Sequence, residues 1–466
     1  MRIMLLIDFG STFTKGVMID LEGEEVIAKA SVSSTVDRDV RLGLSELLVE
    51  LRGQTSDRLV KNAPKLACSS AAGGLRMVVI GLVPELTVEA GRKAACNAGA
   101  KVIGSIAGVM DDPALLQLAA LKPDLILLSG GTDGGNKEVI ISNAVLLAGT
   151  QINVPVIIAG NKNAVRECRG ALEKMGKAVV VTENVMPSVN CLHIEPARET
   201  IRRVFIDRIA KAKGINTVQN QVALLMPTPN AVLQAVAILA QGTPEEEGLG
   251  ELLVIDVGGA TTDVYSAGAG MPTMTNVILK GLPEPFVKRT VEGDLGVRHN
   301  ALSIVELVGM TQLLKDAGFS SAEGKRVMEY CQTLPPEQLP REAWEFEVDS
   351  GLAKAAVRLG VERHVGSLKL AYIPGAGETF IQTGKDLRGL KTIIGTGGPV
   401  IFAKEPCAIL NEAVFDPRTP HLLKPAQPRF MLDKTYILYA LGLLSGQYPH
   451  RALHLAKKNL QLMHCP

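Results

Sequence analysis

The sequence predicts an α/β protein of several domains, on three observations. Hydrophobic residues make up 47% of the 466 positions but aromatics only 4%, and 46 glycines supply turns. That is the composition of Val, Ile, Leu and Ala strands joined to helices by glycine-rich loops. From about residue 105, near-continuous apolar strands alternate with helical patterns, which marks a parallel sheet covered on both faces. Finally, a hairpin pattern occurs twice: an apolar strand ends in an aspartate, turns on glycine and hydroxyl residues, and returns apolar. It is LLIDFGSTFTKGVMID at 5–20 and LLVIDVGGATTDVYS at 252–266, and a third glycine turn, IIGTGGPVIF, follows at 393–402.

Taken in order, the first hairpin is followed by a strand over 24–33 and an amphipathic helix over 41–52. Strands at 65–70 and 75–82 flank a turn at 71–74, and a helix over 87–97 takes Thr87 as its N-cap and stops at Gly99. Helices at 113–121, 137–147 and 164–175 then alternate with strands at 124–129, 155–159 and 178–182. A strand and a helix follow from Gln221, and 242–250 is a linker of Gly, Pro and acids. Residues 290–300 (TVEGDLGVRHN) form a charged knot, in which His299 reads as a structural hydrogen-bonder, before a helix over 301–307. Residues 337–347, with the single tryptophan Trp344, read as a loop, and 433–444 as a last amphipathic helix.

The hairpins carry the chemistry. Gly10 lets backbone approach a charged ligand with no Cβ in the way, and successive N–H groups in such a turn make an anion-binding concavity. Ser11, Thr12 and Thr14 add donors, and Lys15 is either a cation for the same ligand or a strand-surface residue. Downstream, Asp256 precedes Gly258, Gly259, Thr261 and Thr262, and Asp263 adds a second acid. Another turn, SGGTDGGN at 129–136, sits at the carboxyl end of a strand before a helix. It is either an anion site or a tight turn with Asp133 capping the helix.

Other classes are disfavoured. Net charge is +1 with no Lys/Arg-dense run, so there is no nucleic-acid footprint. The first apolar run meets Asp8 at once, too soon for a signal peptide or membrane span, so a soluble cytoplasmic protein is expected. Seven cysteines, widely spaced and without CxxC pairs, make disulfides, structural zinc and an iron–sulfur cluster unexpected.

In this order and spacing, the three glycine turns resemble the phosphate-1, phosphate-2 and adenosine motifs of the actin, Hsp70 and sugar-kinase ATPase superfamily. The resemblance implies two ribonuclease-H-like domains around a nucleotide cleft, with an inserted α/β region in the first. The implied partition is 1–104 and 221–250 for the first domain, 105–220 for the insertion, 251–428 for the second domain, and 429–466 for a helix returning to the first. It also implies ATP and Mg²⁺ as ligands. Asp8 and Asp256 would hold the metal largely through water. Glu292 and Asp294 read as part of a solvated loop or helix cap, and, lying beside the cleft in the superfamily, are secondary candidates for a catalytic role. Asp256 or Asp263 would orient the attacking water, and Gly395, Thr396, Gly397 and Gly398 would lie against adenine and ribose.

Over nearly the full length, the segments IDFGSTFTKGVMID, ACSSAAGGLRMVVIGLVPELT, SGGTDGGN, LLVIDVGGATTDVYS, VEGDLGVRHN and TGGPVIF resemble the MutL family of the adenosylcobalamin-dependent glutamate mutase system. This is distinct from the mismatch-repair proteins of that name. Dehydratase activators of the same superfamily hold an iron–sulfur cluster with cysteine motifs that are absent here. The resemblance implies an ATP-dependent reactivating chaperone that frees a corrinoid mutase of damaged cobalamin. The inserted region, which the minimal ATPase fold does not require and which presents the SGGTDGGN turn, is expected to contact the mutase or its corrinoid subunit. Alternatives on the same fold are a sugar or acid kinase, an actin-like filament protein, or a hydantoinase-type protein.

Overall fold

The computed structural model describes residues 2–35, 38–70, 75–211, 222–335, 338–375 and 377–465. The turn expected at 71–74, the end of the expected insertion and Gln221 lie outside them. The chain forms two compact units, one of Met1–Ala71, Thr217–Lys280 and Glu284–Pro466, the other of Ala72–Asn216 with Gly281–Pro283.

The first unit opens with β1 (Ile3–Phe9), β2 (Phe13–Asp20) and β3 (Glu25–Ser33), then α1 (Val40–Gln54), α2 (Asp57–Asn62) and β4 (Lys65–Ser69). β1 and β2 pair antiparallel around a four-residue turn, and Asp8 stands opposite Lys15. The Gly10 N–H closes that turn on the Phe13 carbonyl at 3.1 Å. A Cβ on Gly10 would sit 2.5 Å from the Phe13 oxygen, so only glycine fits. β1 is buried along its whole length, because alternate side chains face different partners.

The second unit runs β5 (Arg76–Gly81), α3 (Glu89–Asn97), β6 (Lys101–Ala107), α4 (Asp112–Leu121), β7 (Leu125–Leu128), α5 (Glu138–Ala148), β8 (Val156–Ile158), α6 (Val165–Lys174), β9 (Val179–Val181) and α7 (Glu195–Lys211). Its sheet is all parallel in the order β6-β5-β7-β8-β9. The expected start of the insertion at 105 therefore needs correction: it falls inside β6, and β5, assigned from sequence to the first domain, is a central strand of this sheet. The apolar run of β5 would serve either sheet, and only its pairing decides.

Two local readings in this unit also change. Thr87 does not cap α3; its Oγ1 accepts from the Leu82 and Val83 N–H groups at 2.8 and 3.1 Å, fastening the preceding turn. Asp133 does not cap α5. Its Oδ1 accepts from the Lys162 N–H (3.1 Å) and Asn184 Nδ2 (3.0 Å), while Asn136 Oδ1 reaches the Val139 N–H at 3.3 Å. The SGGTDGGN turn is thus packed on its own chain: a Cβ on Gly131 would be 1.9 Å from the Asn136 carbonyl. Gly99 ends the α3 region at φ +89, as expected.

The chain then adds β10 (Ala223–Pro227), α8 (Thr228–Gln241), β11 (Leu252–Val257), β12 (Thr262–Ala267), β13 (Val277–Lys280), β14 (Val287–Glu292), α9 (Ala301–Val308), α10 (Met310–Ala317), α11 (Gly324–Thr333) and α12 (Ala343–His364). It closes with β15 (Ser367–Ile373), β16 (Gly377–Thr383), β17 (Thr392–Thr396), α13 (Gly398–Ile401), α14 (Pro406–Leu410), β18 (Arg429–Leu432), α15 (Leu438–Ser445), α16 (Pro449–Asn459) and β19 (Gln461–Met463).

The first unit holds the same sheet twice. One is ordered β3-β2-β1-β4-β10, the other β14-β12-β11-β17-β18, with β19 added at its edge. In both, the first two pairings are antiparallel and the next two parallel. This is the duplicated ribonuclease-H-like arrangement of the actin-like ATPase fold. A third small sheet, β13-β16-β15, is attached to the second half.

One core joins the two sheets. Met4, Leu6, Val17 and Ile19 from one and Leu252, Val254, Tyr265 and Ile394 from the other meet around α8 and α15. The far face of the second sheet packs on α9–α14. α15 is buried at every position from Leu438 to Leu444, so it is not the amphipathic helix expected over 433–444. It starts at 438 because the Asp433 carboxylate accepts from the Ile437 and Leu438 N–H groups at 3.0 and 3.2 Å. α15 lies so close to α8 that a Cβ on Gly442 would be 1.7 Å from the Ala231 carbonyl oxygen.

Three further expectations are corrected. Trp344 is in α12, not a loop, because Glu342 and Glu345 form a capping box there. β18 and β19, expected with a helix returning to the first domain, extend the second sheet. A disulfide joins Cys407 to Cys465, bridging 58 residues, because β19 pairs with β18 and returns the C-terminal end to α14.

Candidate nucleotide-binding cleft

The duplicated sheets place the two aspartates at equivalent strand ends, one at the tip of β1 and one at the tip of β11. Their turns close identically: the Gly258 N–H donates to the Thr261 carbonyl at 2.9 Å, as Gly10 does to Phe13. A Cβ on Gly259 would lie 3.7 Å from Thr12 Oγ1, so the two turns face one another at close range. The downstream turn is braced from behind. The Val297, Arg298 and His299 N–H groups donate to the Gly258 and Gly259 carbonyls, and Asn300 Nδ2 to Ala260. The charged knot is therefore a support for the glycine turn, and its acids Glu292 and Asp294 are engaged by Arg363 at 2.7 and 2.8 Å.

Asp8, Thr228, Asp256, Thr396, Tyr436 and Tyr439 line a narrow cavity at the floor of the cleft. Asp8 Oδ1 accepts from Thr228 Oγ1, the first residue of α8, at 2.6 Å. Burial raises the Asp8 carboxyl above its ordinary value against the opposing pull of Lys15. Asp256 is pushed up to about 7, chiefly by burial and then by the like charge of Asp263. Its Oδ1 is buried and has no hydrogen-bond partner among the described residues.

Asp433, not singled out from sequence, is a third buried acid here. It accepts from Thr396 Oγ1 at 3.1 Å, and burial raises its carboxyl too. A capping residue normally stands directly before the apolar run, and Asp433 stands four residues ahead of Ile437, so the local pattern did not mark it. Lys15 supplies the positive charge. Burial lowers its ammonium despite Asp8 and Asp256, and Nζ sits 3.5 Å over the centre of the Tyr436 ring.

Several expected ligand groups point elsewhere. Thr14 and Thr262 occupy equivalent positions one residue from Lys15 and Asp263, so their side chains leave the opposite face of the strand. Thr262 Oγ1 donates to the Leu295 carbonyl at 2.8 Å, and Thr14 Oγ1 lies beside Gly43 of α1. Asp263 is held by Arg289 at 2.7 Å (Nε) and 2.6 Å (Nη2) and by Thr261 Oγ1 at 3.0 Å. Gly395 is glycine for packing, since a Cβ would be 2.9 Å from Leu410 and Val400. Gly397, at φ +90, would drive a Cβ to 2.7 Å from Asp256 Oδ1. A Cβ on Gly398 would make only an ordinary contact, 3.9 Å from the Phe402 ring, and Ser11 is exposed.

Magnesium fits this donor set. The floor offers hard oxygen donors and an unpartnered carboxylate oxygen, with three acids against one ammonium. Among the described residues no cluster of three or more His, Cys, Asp or Glu could hold a metal.

Residues 4–460 match the family model described as MutL protein. The chain belongs to the MutL protein family. Protein MutL of Clostridium tetanomorphum is 43% identical over 457 residues, 98% of either chain. Among solved structures, the chain is similar to a 2-hydroxyisocaproyl-CoA dehydratase activator from Clostridium difficile with bound ADPNP (10% identity, all of both chains, TM-score 0.31). It is also similar to a ligand-bound xylulose kinase from Lactobacillus acidophilus (10% identity, all of this chain and 93% of that one, TM-score 0.37). Likeness at that level carries no argument about activity. The MutL assignment rests on the near full-length match. No helix among the described residues of this MutL-family chain is long and apolar enough to cross a membrane.

Proposed function

We propose that this chain binds and hydrolyses ATP, and that the cycle serves to release damaged cobalamin from an adenosylcobalamin-dependent mutase of the glutamate mutase type. The observation that carries the nucleotide reading is the pair of facing glycine turns floored by Asp8 and Asp256, with Asp256 Oδ1 left unpartnered. Phosphate oxygens would take the backbone N–H groups of both turns, and Lys15 would offset their charge. Mg²⁺ carried with the nucleotide would be held by Asp8 and Asp256 largely through water, and would neutralise charge on the phosphates. Of the two acids that could orient the attacking water, Asp256 has the free oxygen, whereas Asp263 is committed to Arg289 and Thr261.

The chaperone reading is supported by family membership and by how the cleft is wired. Thr228 begins α8 and bonds Asp8; Asp433 caps α15 and bonds Thr396. Both helices lie in the core shared by the two sheets, so ligand-dependent change at either acid bears directly on them. The second unit is proposed to contact the mutase. A mutase inactivated with a non-exchangeable cobalamin should regain activity when this protein, ATP and fresh adenosylcobalamin are added. Deleting Ala72–Asn216 should keep ATP binding and abolish recovery. Recovery without ATP would overturn the reading, and so would phosphate transfer to a sugar or acid in place of reactivation.

A further inference from the structure

Lys15 raises a question that the nucleotide reading leaves open. Its ammonium shares a buried cleft with Asp8, Asp256 and Asp433, yet among the described residues it forms no hydrogen bond or ion pair. Asp8 and, after it, Asp256 act on its charge; Asp8 is already bonded by Thr228, whereas Asp256 has an Oδ1 with no partner either. A partly buried lysine beside an unpartnered carboxylate would normally collapse onto it, because charge-assisted pairs are the strongest polar contacts available. What occupies the ammonium is the face of Tyr436, 3.5 Å from Nζ. Tyr436 reaches that place by a backbone conformation that non-glycine residues rarely adopt, φ +56. Its N–H is tied to the Asp433 carbonyl at 2.9 Å, and the Asp433 carboxylate caps the next turn. The ring is thus fixed by the backbone from both sides.

We propose that Tyr436 is a positioning residue that parks the Lys15 ammonium on its ring, keeping it off Asp256 so that a metal–nucleotide ligand finds both the cation and the carboxylate free. This rests on the nucleotide reading above. Without the ring, Lys15 pairs with Asp256 and competes with the metal for the same oxygen, so the defect is one of metal affinity rather than of the fold.

The test uses the full chain. Tyr436→Gly removes the ring while suiting the left-handed backbone; Tyr436→Asn is a second ring-less variant with the same tolerance. Tyr436→Phe keeps the ring. In the ligand-free protein labelled with ¹³C-lysine, the Lys15 ε-CH₂ signal, assigned by its loss in Lys15→Arg, should be shifted upfield by the ring in wild type and Tyr436→Phe. It should return to the position of the other lysines in both ring-less variants. Their half-saturating Mg²⁺ for ATP binding, measured by calorimetry, should rise about tenfold, the scale of one charge-assisted contact changing hands, while Tyr436→Phe stays near wild type. Absence of the upfield shift, or ring-less variants with unchanged Mg²⁺ dependence, would overturn the proposal. A clear upfield shift in a wild-type protein that binds no nucleotide would instead overturn the reading of the cleft.

Discussion

Asp256 is a carboxyl whose environment works against its charge. Burial and Asp263 lift it from an ordinary 3.8 to about 7, so the folded chain keeps a proton that the unfolded chain releases. A raised carboxyl value costs stability as pH climbs between the two values and costs no more above the upper one; a tenfold change in proton affinity corresponds to about 1.4 kcal/mol. Asp256→Asn should therefore match wild type in melting temperature near pH 4 and exceed it at pH 8, while ATP hydrolysis is lost. Equal melting temperatures at pH 8 would show that Asp256 is not perturbed. Arg289 works in the other direction, since it is buried and neutralises Asp263. Arg289→Leu leaves that acid uncompensated and should cost about 3–5 kcal/mol, read by urea unfolding. The sequence showed Asp263 as a second acid beside a glycine turn, but gave no sign of its commitment, because Arg289 lies 26 residues on and meets it only through the β12–β14 pairing.

Elements were legible where the signal was local. Both hairpins read correctly because the aspartate, the glycine turn and the returning strand fall within a short stretch. The alternation that turns Thr14 and Thr262 away from Lys15 and Asp263 was present in the same letters. α12 was not legible. Its buried stripe is built from Gly351, Leu352, Ala353, Ala355, Ala356 and Val357, too small and too continuous to show a period. α15 misled for a related reason: a helix packed on all sides has no polar face by which to find its ends. Its contact with α8 depends on a missing side chain. Gly442→Ala should force the two backbones apart and cost about 1–3 kcal/mol or more, since overpacked cores relax poorly. An unchanged denaturation midpoint would mean that the helices adjust freely.

At the scale of the molecule, the duplication was foreseeable from two similar hairpins, whereas the start of the second unit was not, because strand pairing is long-range. Saturating Mg²⁺·ATP should stabilise the whole chain by about 2.7 kcal/mol at a hundredfold excess over Kd. No thermal shift at millimolar ligand would remove the nucleotide reading. Cys465→Ser should lower the melting temperature only when reductant is absent, by a loss of about 2–4 kcal/mol. Equal melting temperatures in both conditions would show that the Cys407–Cys465 link does not hold. The repeated sheet has one more consequence. Its two halves offer a ligand the same frame but not the same charges, because the residue facing Asp8 across its hairpin is Lys15 and the one facing Asp256 is another acid. A perfectly doubled cleft would accept a phosphate chain in either direction. Here the first half sets a free ammonium beside its acid and the second an acid already held by Arg289, so the two ends of an asymmetric ligand would meet different partners.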